Sequence, residues 1–192
     1  MNRKLFVSSL LVLLAFVTVP LKAEDKTIAR FRAFAVNMNG GPRTNAGVVD
    51  IGITRWSTEA EREALIATLK EKGSTALLDA LTKQPESGFI KMPNTLGWTL
   101  FYARKTDLPD GGQRIVIATN RRLGFGEVSQ QRRSADYDFT LVEIHLPKGG
   151  GKGEGKMVPA AKVTWDKETN QIDIENYQAM PVQLKNVEES KP

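Results

Sequence analysis

The sequence predicts an α+β fold, mainly an antiparallel β meander of about eight strands, barrel-like or folded as a sandwich, with one helical pair inserted after strand 2. Three observations lead there. Apolar residues recur with a period of two in segment after segment, as in half-buried strands. The period changes to 3.6 once, between Ser57 and Gln84. Strands and helices never alternate as β-α-β, so the strands have short connections and run antiparallel.

The elements follow in order. Ile28 to Met38 alternates around Phe31, Ala33 and Ala35, and Asn39-Gly40-Gly41-Pro42 turns the chain. Val48 to Trp56 is the second strand, with Val49, Ile51 and Ile53 on one face. Thr58 and Glu61 have the spacing of a capping box. Leu65, Ile66 and Leu69 form a buried helical stripe, and Gly73 supplies the stop. A second helix runs from Thr75 to Gln84 with Leu77, Leu78 and Leu81 inward, and Pro85 ends it. The strand starting at Leu96 is apolar on both faces through Ala103, which predicts a central position. After the turn at Leu108 to Gly112, Arg114 to Thr119 pairs back. Residues 120–136 have no period and read as a loop. Tyr137 to Leu146 is a strand, Pro147 to Lys156 a flexible Gly/Lys loop, and Ala161 to Ile174 a hairpin turning at Asp166 to Asn170. Val182 and Leu184 begin a last short strand, and residues 188–192 read as a polar tail.

Residues 1–23 read as a secretory signal peptide rather than as part of the fold, with an uncleaved N-terminal anchor as the alternative. Arg3 and Lys4 precede the apolar run Leu5 to Val19, Pro20 breaks it, and Ala23 offers a small residue for cleavage. The single domain is then 24–187, followed by the tail 188–192. Export by the general secretory route places the chain in the periplasm or outside the cell, with no stable membrane insertion once the signal is cut. Losing Arg3, Lys4 and Lys22 takes 27 basic residues to 24 against 22 acidic, so the processed chain is only +2. That weak excess argues against a nucleic-acid partner.

The composition excludes several chemistries. There is no cysteine, hence no disulfide, thiolate metal site or thiol nucleophile. His145 is the single histidine, and no G-x-S-x-G elbow accompanies it, so it reads as a partly buried strand residue. Gly150 to Met157 approaches a phosphate loop but ends in Met157 where a hydroxyl residue would hold magnesium. No cofactor, metal site or catalytic residue is therefore assigned. Trp56, Trp98 and Trp165 fall on strand patterns and read as core.

Two clusters remain as candidates. Arg121, Arg122, Arg132 and Arg133 flank a Gly-bracketed Phe125, a charge-plus-aromatic set suited to an anionic small molecule or polymer. Their competing use is internal pairing with residues 166–192, which hold six acids and three lysines. Asp136, Asp138 and Glu143 are the second cluster. Asp136 and Asp138 lie two residues apart on one strand face, about 7 Å, within the range of paired glycosidase carboxylates. The sequence thus favours a non-enzymatic exported binding or structural module, with a secreted hydrolase built on those carboxylates as the alternative.

The segments GVVDIGITRWSTEAEREAL, LGWTLFYAR, DGGQRIVIATNR, YDFTLVEIHL and KVTWDKETNQIDIENYQAMPVQLKNV together resemble an uncharacterised family of small exported bacterial proteins. The resemblance implies one domain after a signal peptide and carries no activity, cofactor or site residue with it.

Overall fold

A computed structural model describes residues 27–38, 45–92, 96–121, 138–176 and 180–190. The signal segment 1–23, the turn at 39–42 and most of the 120–136 loop lie outside the described residues.

Ten strands form one antiparallel sheet: β1 Ala29–Asn37, β2 Asn45–Ile53, β3 Gly88–Lys91, β4 Trp98–Leu100, β5 Tyr102–Asp107, β6 Gln113–Thr119, β7 Phe139–Leu146, β8 Gly153–Asp166, β9 Gln171–Asn176 and β10 Val182–Ser190. The hydrogen-bonded order is β4-β3-β2-β1-β10-β8-β7-β6-β5, and β9 pairs with β8. First and last strands thus lie side by side along most of their length, from Arg30 opposite Ser190 to Val36 opposite Gln183. The two ends of the path, β4 and β5, are consecutive in the chain, and the sheet curls into a nearly closed barrel. Across the remaining seam the Phe101 amide donates to the Ala118 carbonyl at 3.1 Å, and Thr119 Oγ1 to the Thr99 carbonyl at 2.7 Å.

Inward-facing residues fill the barrel. Phe31, Ile51, Ile53, Ile90, Leu100, Ile115, Ile117, Ile144, Met157 and Leu184 are all fully buried there. Sealing side chains of this size from water is the main favourable term of the fold.

The helical pair packs on the outside of the wall. Glu59–Thr82 forms α1, capped as its sequence predicts: Glu61 N donates to Thr58 Oγ1 at 3.2 Å, and Thr58 N to Glu61 Oε2 at 2.8 Å. Gly73, at φ 80° and ψ −171°, breaks the helix into two arms. Arg55 clasps both ends. Its guanidinium binds the Glu61 carboxylate, at 2.6 Å to Oε2, and also Ser87 Oγ at 3.3 Å and the Pro85 carbonyl at 3.4 Å. A helical arm from 59 to 72 is about 20 Å long at 1.5 Å per residue, so both ends reach one guanidinium only if the arms fold back at Gly73. Leu65, Leu69, Leu77 and Leu81 then bury their shared stripe against Ala118, Phe139, Ala161 and Val163.

Two β-bulges shift the alternation along single strands. In β8, Leu141 faces Val158 while Phe139 faces Ala161, so Pro159 and Ala160 together oppose Thr140. Before the bulge the odd-numbered Met157 points into the barrel; after it the odd-numbered Ala161 and Val163 point out toward α1. Proline is tolerated at a bulge because the ladder there needs no amide from it. In β10 the shift falls between Leu184 and Val187, with Asn186 in the left-handed region at φ 51°. Val187 is thereby buried, although it is out of phase with Val182 and Leu184.

The antiparallel, barrel-like sheet with a helical pair after β2 is as expected, with ten strands among the described residues. Several other expectations are corrected. Leu96 to Ala103 is not a central strand: it bends at Phe101 into β4 and β5, the two ends of the path. It is apolar on both sides because Leu100 and Ala103 fill the barrel while Phe101 and Tyr102 pack beneath α1. β3 has one buried residue, Ile90, too little to signal a strand. Residues 188–190 continue β10 against β1 instead of forming a tail, because backbone pairing there needs no apolar side chain. Gly153 to Lys156 belongs to β8 rather than to a loop. A Cβ at Gly155 would lie 2.4 Å from the Glu143 carbonyl oxygen, so these glycines serve close strand approach. Trp56 follows β2 rather than lying in it; Trp56 and Trp98 pack against the barrel interior and Trp165 against the helical layer.

Two stability outcomes follow. Leu69 is 2% exposed, and Leu69→Ala should cost about 2–5 kcal/mol in equilibrium urea unfolding. Gly155→Ala should lower the melting temperature clearly, whereas Gly47→Ala, whose Cβ meets nothing within 4 Å, should leave it nearly unchanged.

Candidate functional site

The register places outward side chains of four strands in rows. Tyr102, Ala118, Leu141 and Val158 are successive cross-strand partners from β5 to β8. The next row away from the helix is Arg104, Val116, Glu143 and Lys156, and the row beyond it Thr106, Arg114, His145 and Glu154. The outer wall is therefore apolar where α1 crosses it and charged beyond. Its charged part lies on the outer side of strands whose inner faces bury Ala103, Ile115, Ile117, Val142 and Ile144, where an unpaired charge would be costly.

The hairpin of β8 and β9 adds a second apolar flank. Val163 pairs with Ile174 and Trp165 with Ile172, all on the face directed at α1. Lys70 of the helix sits over the Trp165 ring, 4.1 Å from its centre. Between the helical arms, this hairpin and the wall lies an open groove of about 650 Å³. Leu65, Leu69, Phe139 and Leu141 form its depth, Ile172 and Ile174 its outer lip, and Arg62, Arg104 and Arg114 its charged end. Ile172 and Ile174 remain 43% and 48% exposed, unusually open for isoleucines facing a hydrophobic layer.

The three guanidiniums share two carboxylates. Glu59 binds Arg62 at 2.9 Å and also Arg104. Glu143 binds Arg114 and its carboxylate lies 3.1 Å from His145 Nε2, from which it accepts when that nitrogen carries the proton. The hydrogen bond from Arg62, reinforced by Arg104, holds the Glu59 carboxyl below its ordinary range against a smaller effect of burial. Burial acts to raise the Glu143 carboxyl, but the hydrogen bonds and charges of Arg114 and His145 outweigh it and hold it low. Tyr102 lies at the boundary between apolar and charged rows; burial pushes its phenol up, so the hydroxyl keeps its proton. Among the described residues no hydrogen bond to that hydroxyl occurs.

The sequence-derived candidates divide. Arg121 lies two residues past β6 and is exposed, its carbonyl accepting from Thr140 Oγ1 at 2.6 Å. Arg122, Phe125, Arg132, Arg133 and Asp136 lie outside the described residues. Asp138 directly precedes β7 and shares sequence parity with the inward Val142 and Ile144, whereas Glu143 faces outward. Glu143 is committed to Arg114 and His145. His145 is exposed rather than partly buried, because its row lies beyond the helical cover. Gly153 to Met157 runs as strand with no helix after it, so the phosphate-loop pattern has no helix N-terminus to work with.

The arginines that line the groove went unnoticed in the sequence because Arg62, Arg104 and Arg114 sit singly in three segments. A signal existed: the outward residues of Tyr102 to Thr106 and of Arg114 to Ala118 change from apolar to cationic along each strand, in opposite directions, as antiparallel partners must if they share one boundary. Among the described residues no three histidine, aspartate or glutamate side chains cluster as metal ligands, and no helix is long and apolar enough to cross a membrane.

The depressed carboxyls set the acid response. A group whose folded pKa is lowered contributes stability above its unfolded value, and loses it as the pH falls through the folded one. Glu59 and Glu143 should thus support the fold fully above their ordinary value of 4.5 and progressively less below it. Thermal melts across that range should show the double variant E59Q/E143Q losing less melting temperature on acidification than the parent.

No known family, curated protein or solved structure matches the chain.

Proposed function

We propose that this chain is a non-enzymatic binding module, exported to the periplasm or beyond, that holds a small molecule in the groove between α1 and the barrel wall. The observation that carries this reading is the groove itself. Its volume of about 650 Å³ is in the range of small-molecule sites. The barrel interior is filled by large side chains, so the uncovered apolar surface is external. The groove's polar groups are the Arg62, Arg104 and Arg114 guanidiniums, the Tyr102 phenol and the Thr106 hydroxyl, a set suited to binding and orienting a ligand. Export rests on the three-part signal pattern at residues 1–23.

Titration with Nile red, an uncharged dye that brightens in apolar surroundings, tests the site. Saturable brightening is expected. Ile174→Asp, on the exposed lip, should weaken it about tenfold or more, the effect of roughly 1.4 kcal/mol. Phe34→Asp, an equally exposed apolar residue on the outward face of β1, should leave it unchanged. Equal losses from both variants, or no saturable binding, would overturn the assignment.

A further inference from the structure

We infer that the ligand is a single-chain amphiphile with a monoanionic head, its chain lying in the groove and its head on Arg104 and Arg114 beside Tyr102. This rests on the groove being the binding site.

The charge balance indicates the head. Among the described residues the ion pairs of Arg62, Arg104 and Arg114 are made with Glu59 and Glu143, three guanidiniums to two carboxylates. Arg104 pairs across the strands with Val116 and Thr106 with Arg114, so the two arginines are diagonal neighbours, roughly 7–8 Å apart at the backbone. Guanidinium forks at that spacing converge on one carboxylate-sized group. The Tyr102 hydroxyl, one row nearer the helix, keeps a proton to donate to the same group. Both internal carboxylates have a second partner, Arg62 for Glu59 and His145 for Glu143. Arg104 and Arg114 can therefore turn to a ligand without stranding an acid.

The dimensions indicate the chain. The groove's wall runs from Arg114, which stands opposite His145, to Phe139 beneath the helical arms, six residue steps along β7. Six residues of strand cover about 20 Å. A slot of that length closed on one side by Leu65 and Leu69 and on the other by Ile172 and Ile174 suits one extended hydrocarbon chain.

Displacement of bound Nile red at low salt reads both parts. Dodecanoate, dodecan-1-ol and dodecyltrimethylammonium share one chain and differ in the head. Dodecanoate should displace the dye at a concentration at least about tenfold below that of dodecan-1-ol, and dodecyltrimethylammonium should be weakest. R104Q/R114Q should bring dodecanoate to the level of dodecan-1-ol while leaving the alcohol unchanged. Tyr102→Phe, which keeps the ring, should weaken dodecanoate alone. Equal displacement by dodecanoate and dodecan-1-ol in the parent protein, or dodecanoate binding indifferent to both variants, overturns the anionic head and leaves the groove standing. Strongest displacement by dodecyltrimethylammonium overturns it as well. Failure of the dye and all three amphiphiles to bind overturns the groove assignment, and the head with it.

Discussion

Two residues standing opposite one, Pro159 and Ala160 against Thr140, decide which side of the barrel wall each half of β8 serves. Without that bulge, Ala161, Val163 and Trp165 would point with Met157 into an interior that is already full. With it they form an outward apolar strip, and α1 has a surface on which to bury its leucine stripe. Thr140 secures the arrangement: its hydroxyl lies 2.9 Å from the Pro159 carbonyl and 2.6 Å from that of Arg121, so it bridges the bulge to the end of β6. The β8–β9 hairpin, which supplies the groove's lip, hangs on the same reversal. One extra residue in a ladder thus yields two cores on the two sides of one sheet.

The groove stays open because the elements around it are held elsewhere. Arg55 ties both ends of the helical pair to the end of β2, and the Ser57 amide donates to the Ala103 carbonyl at 2.6 Å, anchoring the approach to α1 on β5. With its ends fixed, the helix cannot slide down to cover Ile172 and Ile174. Such covering is what burial of apolar area would otherwise favour.

Electrostatics at the groove's charged end has a different character from the Arg55 clasp. The side chains of Arg114, Glu143 and His145 are 49%, 37% and 47% exposed. Ion pairs so open to water contribute little net stability, because solvent screens them and ordering the long side chains costs entropy. They can therefore exchange partners cheaply. Arg55 and Glu61 are less exposed, share two oxygens, and join structural elements.

Much of this architecture is legible in the residues. Period-two alternation placed Phe31, Val49, Ile51 and Ile53 on inward faces, and the switch to 3.6 placed Leu65, Leu69, Leu77 and Leu81 on one buried stripe, because burial of a face imposes the period of its element. The Thr58–Glu61 cap and the break at Gly73 were equally readable, being local backbone chemistry. What alternation could not reveal were the places where the chain changes phase: the bulges in β8 and β10, the bend at Phe101, and strands whose glycines serve approach rather than flexibility. Those depend on what lies opposite, and register is a property of two strands rather than one. The groove belongs to the same class. The order of apolar and polar residues dictates the elements and their antiparallel pairing; Arg62, Arg104 and Arg114 meet at one end of an apolar slot through folding alone, since cross-strand pairing and the folded-back helix set distances that no spacing along the chain encodes.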